Sequence, residues 1–285
     1  MLNNLLDFVP EIPVADGIDW LTDEITDMLS FVFDPIKEHF GNFMEFVAED
    51  VLMVIPPVIF ILIVALIAFF VSGKKFGLAA FSIVGLWFIY NQGHWDNLMN
   101  TVTLVILASL LSVIIGVPLG ILMSKSKTAN AIITPILDFM QTMPAFVYLI
   151  PAVAFFGIGM VPGVFASLIF ATPPTVRFTN LGIRQVSNEL VEAADAFGTT
   201  GAQKLFKVEL PMAKSTIMAG INQTVMLALS MVVIASMIGA KGLGREVLSS
   251  LQRAEAGTGF VAGFGIVILA IIIDRITQNM NKSKA

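Results

Sequence analysis

The stretch of this chain best suited to act on another molecule is residues 192–211, EAADAFGTTGAQKLFKVELP. It is a polar island between long apolar runs, and its chemistry is that of a contact surface. Ser187 or Asn188 can start a helix, and Glu189 suits the positive end of its dipole. Leu190, Ala194 and Phe197 recur at helical spacing, and Gly198 stands where a left-handed residue would close the helix. Thr200 followed by Gln203 resembles a capping box for a second short helix, which Pro211 is expected to stop. Two such helices are too short to cross a bilayer. They predict a compact knob, in which Ala193 and Ala194 let another surface come close.

A second set of polar residues lies inside apolar runs. Asp138, Gln141, Thr142 and Tyr148 can share a helical face, and Asn222, Gln223, Thr224 and Ser230 punctuate a later run. Polar groups at membrane depth line a water-filled path or hydrogen-bond a neighbouring helix, and residue type leaves both uses open. Asp138, Gln141, Tyr148 and Asn222 are the candidates for a solute pathway. Trp87, Tyr90 and Trp95 could cage a cation or form an interfacial aromatic belt.

Other chemistries find no support. The chain has no cysteine, which removes disulfides, thiol catalysis and thiolate metal sites. His39 and His94 stand far apart without a ligand cluster, so no metal site is expected. No Gly-x-x-x-x-Gly-Lys-Ser/Thr stretch occurs, so the chain should neither bind nor hydrolyse nucleotide by itself. No basic stretch suggests nucleic acid, and no cleaved signal peptide is expected at the start.

The elements that must hold these residues are membrane helices. Of 285 residues, 56% are hydrophobic and only 13% charged, and the runs do not alternate as barrel strands would. The fold class is therefore an all-α polytopic membrane protein. Residues 1–50 read as an acidic amphipathic segment. It carries twelve Asp and Glu against one lysine, Lys37, with Asp34 and Pro35 expected to begin a second helix. Its charge is wrong for an anionic inner leaflet, so it is placed outside. Spans are expected over 51–72, 76–90, 98–123, 131–156 (with kinks or breaks at Pro144 and Pro151), 164–179, 217–238 and 260–276. Residues 241–258 read as a polar loop. With seven spans and the N-terminus outside, twelve Lys and Arg fall inside and four outside. That asymmetry puts the knob and the C-terminus in the cytoplasm.

Glu192, Ala193, Ala194, Gly198, Val208, Leu210 and Pro211 fit the EAA loop, which marks permease subunits of binding-protein-dependent ABC importers; only Val208 departs, from a commoner isoleucine. The stretches 137–159, 180–185, 218–229 and 238–248 resemble permeases for glycine betaine, proline betaine and related quaternary ammonium solutes. The likeness covers about residues 18–278. It implies a type I importer fold, with a five-helix core in residues 96–285, a coupling loop at 187–211 and two accessory spans in 51–95. It implies a homodimer of this chain, two ATPase subunits carrying ATP and Mg, and a separate extracytoplasmic solute-binding protein. The setting would be the lipids of a bacterial cytoplasmic membrane, and the role osmoprotection. The residues alone leave two rivals, an ion-gradient-driven secondary transporter and a non-transporting membrane scaffold.

Overall fold

The structure, a computed structural model, describes residues 13–282. Helices make up almost all of it, and no strand occurs among the described residues. Three helices are long and apolar enough to cross a membrane, or up to five if each of two sharply bent pairs counts as one span.

The first helix, α1 (Val14–Glu45), winds on through π-helical turns to Met53 and then meets α2 (Pro57–Val71) at 93°. The expected span over 51–72 is thus shortened to α2. Pro56 is extended, with φ −52° and ψ 135°, and a residue that precedes a proline avoids helical geometry, so Pro56 and Pro57 together break the chain. Pro35, by contrast, begins no new helix. It sits inside α1, on the solvent side, while Phe33, Ile36 and Phe40 on either side of it pack on the body. Phe33 stacks on Phe155 at 4.9 Å, and Phe40 lies 5.7 Å from Phe165. Ile18, Leu21, Met28 and Val32 of α1 face outward, the pattern of a helix lying at an interface.

Helices α2 and α3 (Phe76–Asn91) form a short hairpin beside the last helix, α12 (Ala256–Lys282). The next helix, α4 (Trp95–Lys125), descends to α5 (Lys127–Thr142). The expected span over 131–156 is broken: α5 and α6 (Leu149–Phe156) diverge by 111°. Pro144 breaks it, because it holds Met143 extended at ψ 132°. Pro151 makes no break, since it falls in the first turn of α6, where a missing N–H is tolerated.

The core is built around α7 (Met160–Arg184), which packs along both α4 and α10 (Leu210–Ser236). Two glycines permit this closeness. A Cβ on Gly120 would lie 2.5 Å from the Thr179 Cβ, and one on Gly220 would lie 2.5 Å from the Phe178 Cβ. Hydroxyls tie the helices further. Thr224 donates to the Ala171 carbonyl at 2.7 Å, and Ser112 to that of Leu168 at 3.2 Å. Pro173 and Pro174 sit within α7 without ending it.

At the other end of α10, residues expected to be a loop form α11 (Leu243–Arg253). Leu243 and Ser250 are buried and Arg245 is exposed, an amphipathic pattern hidden in the sequence by the polar residues and glycines around it. The Leu243 N–H donates to Thr101 at 2.9 Å, and Asn97 donates to Glu246 at 3.1 Å, which fasten α11 to α4. The chain then forms α12 (Ala256–Lys282).

Candidate functional site: a helical knob and a polar cleft

Between α7 and α10 the chain leaves the bundle as α8 (Asn188–Ala196) and α9 (Gly201–Lys204). Ser187 occupies the cap position of α8 but makes no side-chain capping bond. Gly198 has φ +72°. Its N–H donates to the Asp195 main-chain carbonyl at 2.9 Å, and the Thr199 N–H to the Ala194 carbonyl at 3.2 Å, closing α8 with a left-handed turn. Thr200 and Gln203 then form both bonds of a capping box. Lys204 donates to both oxygens of Asp195 at 2.8 Å and clasps the two helices together.

Pro211 does not stop the second helix. The chain is one helix from Gly201 to Ser236. Residues Leu205–Glu209 wind as a π-turn just before the proline. That wider winding changes the hydrogen-bond register where a proline would otherwise clash with an α-helical carbonyl. Leu205 and Leu210 pack on Ile183, Ala213 and Ile217, while Pro211 is exposed. Buried Glu209 forms an ion pair with Lys125 at the end of α4, and Arg184 donates to the Met123 carbonyl at 3.0 Å.

The outer surface differs from the simple amphipathic reading. Of Leu190, Ala194 and Phe197, only Ala194 is buried; Phe197 is 89% exposed and Phe206 67% exposed. A two-helix knob has no interior to receive them. They stand exposed on the outside of the knob, as do Glu192, Ala193 and Gly198. Phe206 and the Lys125–Glu209 pair were not legible beforehand: the first looks like a core position, and the second joins residues distant in sequence.

The four pathway candidates do not come together at one place. Gln141 lines a cleft of about 500 Å³ with Met140, Phe170, Pro174, Arg177, Phe178, Gln223 and Leu227. Asp138 joins it through an ion pair with Arg177. Tyr148 is buried, its hydroxyl donating to the Met140 carbonyl and its ring 5.7 Å from Phe170. It supports the wall of the cleft. Asn222 faces the other way, donating to Asp274 of α12 at 2.9 Å and accepting from Thr277 at 2.7 Å. Its neighbour Gln223 is the amide that reaches the cleft. Arg177 is not among the four sequence candidates; its pairing with Asp138 and its place in the lining put it at the cleft. Of the aromatic cluster, Trp95 is buried against Phe60 and Tyr90, at 5.5 and 5.9 Å, whereas Trp87 and Tyr90 are exposed; the three do not close on a common centre.

Residues 112–284 match the family of binding-protein-dependent transport system inner membrane components. The chain belongs to that family. It is a membrane-embedded permease subunit of a transporter, and not itself an enzyme. It is 59% identical over 276 residues to the glycine betaine/carnitine transport permease protein GbuB of Listeria monocytogenes serotype 1/2a (strain 10403S), covering 96% of this chain and 97% of that one. It is 50% identical to the glycine betaine transport system permease protein OpuAB of Bacillus subtilis (strain 168), covering 98% of each. In fold it is similar to a chain of the inward-facing MetNI methionine ABC transporter, with a TM-score of 0.60 and 21% identity over 70% of this chain and 96% of that one.

Proposed function

We propose that this permease is the translocating subunit of an ATP-driven importer for glycine betaine or a closely related quaternary ammonium solute. The observation that carries the reading is the knob. Its surface exposes Phe197 and Phe206, while its base is tied to α4 by the Lys125–Glu209 pair and runs unbroken into α10. A partner that seizes the knob therefore moves a core helix. Glu192, Ala193 and Gly198 form the exposed contact turn, Ala194 packs beneath it rather than facing a partner, and Leu210 and Pro211 join it to the bundle. The substrate class rests on the names of the two bacterial relatives, which align along nearly the whole chain.

The remaining parts follow from this reading. ATP and Mg bind two copies of a separate ATPase subunit, and an extracytoplasmic binding protein delivers the solute to a dimer of this chain. Of the acidic segment 1–50, the described part from residue 13 lies outside at the membrane surface; 51–95 form an accessory hairpin, and the core domain 96–285 is described to residue 282, its last three residues and the first twelve of the chain lying outside the described residues. The crossings are α2, α3, α4, the bent α5–α6 pair, α7, α10 and α12, with the N-terminus outside and the C-terminus cytoplasmic. The charge asymmetry supports this arrangement. ATP binding closes the ATPase pair and moves the knob, which favours the outward-open state.

The test is uptake of radiolabelled glycine betaine by vesicles holding this chain with its ATPase and binding protein. Accumulation should require ATP and survive an ionophore. Uptake that persists without ATP and collapses with the ionophore would replace this reading with a gradient-driven one.

A further inference from the structure

The cleft between α5, α7 and α10 is more than a gap in the packing. Gln141 and Gln223 are both exposed there, on helices whose other outward residues are largely apolar. Primary amides facing lipid would lose their hydrogen bonds to water without replacement, so this face meets water or protein. Beside them Arg177 and Asp138 form an ion pair, with 38% and 59% of their side-chain surfaces exposed. A pair so open to water is weak, and a solute can exchange with it. The Arg177 Nε is buried and has no hydrogen-bond partner. Phe170 and Phe178 line the cleft from α7, the helix that also carries Arg177.

These groups offer a fixed arrangement: a guanidinium, a carboxylate, two amides and aromatic rings, with no net charge. We propose that the cleft is a transit site for a dipolar quaternary ammonium solute, held with its carboxylate on Arg177 and its trimethylammonium group toward Asp138 and the Phe178 ring. A carboxylate pairs with the guanidinium by charge-assisted hydrogen bonds. A quaternary ammonium has no N–H to donate and is recognised by negative charge and ring faces. The cleft's volume, about 500 Å³, suits a small solute. A simple cation would leave Arg177 unanswered, so the cleft discriminates by dipole. A separate binding protein selects solute before it, and this site sets how much of what is delivered passes.

The proposal rests on the transport reading above, and the experiment separates the two. The complete complex is placed in vesicles, and glycine betaine moved per ATP hydrolysed is measured at saturating binding protein. In Arg177→Gln that ratio should fall about tenfold, the usual scale for a lost charged hydrogen bond. Gln223→Leu, which keeps the ion pair, should lower it about threefold, the scale for a neutral hydrogen bond. The double variant Asp138→Arg with Arg177→Asp keeps the bond but reverses the dipole, and should stay low. An unchanged ratio in both single variants, or full recovery in the charge-swapped one, would overturn the transit site and leave a pair that only ties α5 to α7. Absence of ATP-driven uptake by the unaltered complex would overturn the transport reading itself, and the transit site with it.

Discussion

Lys125 and Glu209 meet where the end of α4 touches the base of the knob, and the glutamate is almost fully buried there. They are 84 residues apart in sequence. The pair converts the knob from an appendage of α10 into a part of the core.

Lys125→Ala should therefore do more damage than a surface change. It strands a buried carboxylate, at a cost of about 3 kcal/mol. The expected result is a lower melting temperature in detergent together with reduced uptake. Lys125→Met combined with Glu209→Met should recover most of the melting temperature, because the buried charge is gone.

Gly198→Ala should strain the turn, since φ is +72° and a left-handed alanine costs about 1–2 kcal/mol. Gly198→Pro should be worse, because it cannot take that φ and removes the N–H that donates to Asp195. Both should insert in the membrane in normal amount while ATP-driven uptake falls, most in the proline variant. Unchanged uptake in Gly198→Pro would remove the turn from the coupling path.

Phe197→Asp and Phe206→Asp should leave the isolated chain's stability within about 0.5 kcal/mol, since both rings are exposed. They should nevertheless abolish co-purification of the ATPase subunit. A melting curve and a pull-down from the same membranes distinguish a lost contact from a lost fold.

Gly220→Ala places a methyl group 2.5 Å from the Phe178 Cβ and should destabilise by about 1–3 kcal/mol. Gly257→Ala, where nothing lies within 4 Å, is the control. Thermal unfolding in detergent should shift only for the former.

Because the chain has no cysteine, single replacements can report its topology directly. Gln252→Cys on α11 should react with an impermeant thiol reagent in intact cells, and Ala202→Cys on the knob only after the membrane is opened. Labelling of Ala202→Cys in intact cells would reverse the orientation and end the coupling account.

The sequence made the membrane class and the knob legible for the same reason: both are written in local patterns. Apolar runs mark spans, while Gly198 and the Thr200–Gln203 box mark the turn and the second helix. What it concealed depends on contacts between distant segments. The polar stretch after residue 241 hid an amphipathic helix fastened by Thr101 and Asn97. Pro211 looked terminal because the π-turn before it has no sequence signature. Asn222 and Gln223 are adjacent and chemically equivalent, and only the packing of α10 sends one to α12 and the other to the cleft. Pro35 and Pro144 look alike as punctuation, yet one is carried within a helix pinned on both sides and the other turns the chain through 111°.

The absence of a break at Pro211 has a mechanical result. From Gly201 to Ser236 the chain is one helix of 36 residues, about 54 Å long. It is gripped near its middle by α7 through the Gly220 contact. A rod held at a fulcrum tilts at both ends when one is pushed. Displacement of the end at Gly201 should thus reach Ser236 and the α11 joint, at the other end of the rod, as a swing in the opposite direction. A flexible hinge at the proline would have absorbed that motion before it reached the bundle.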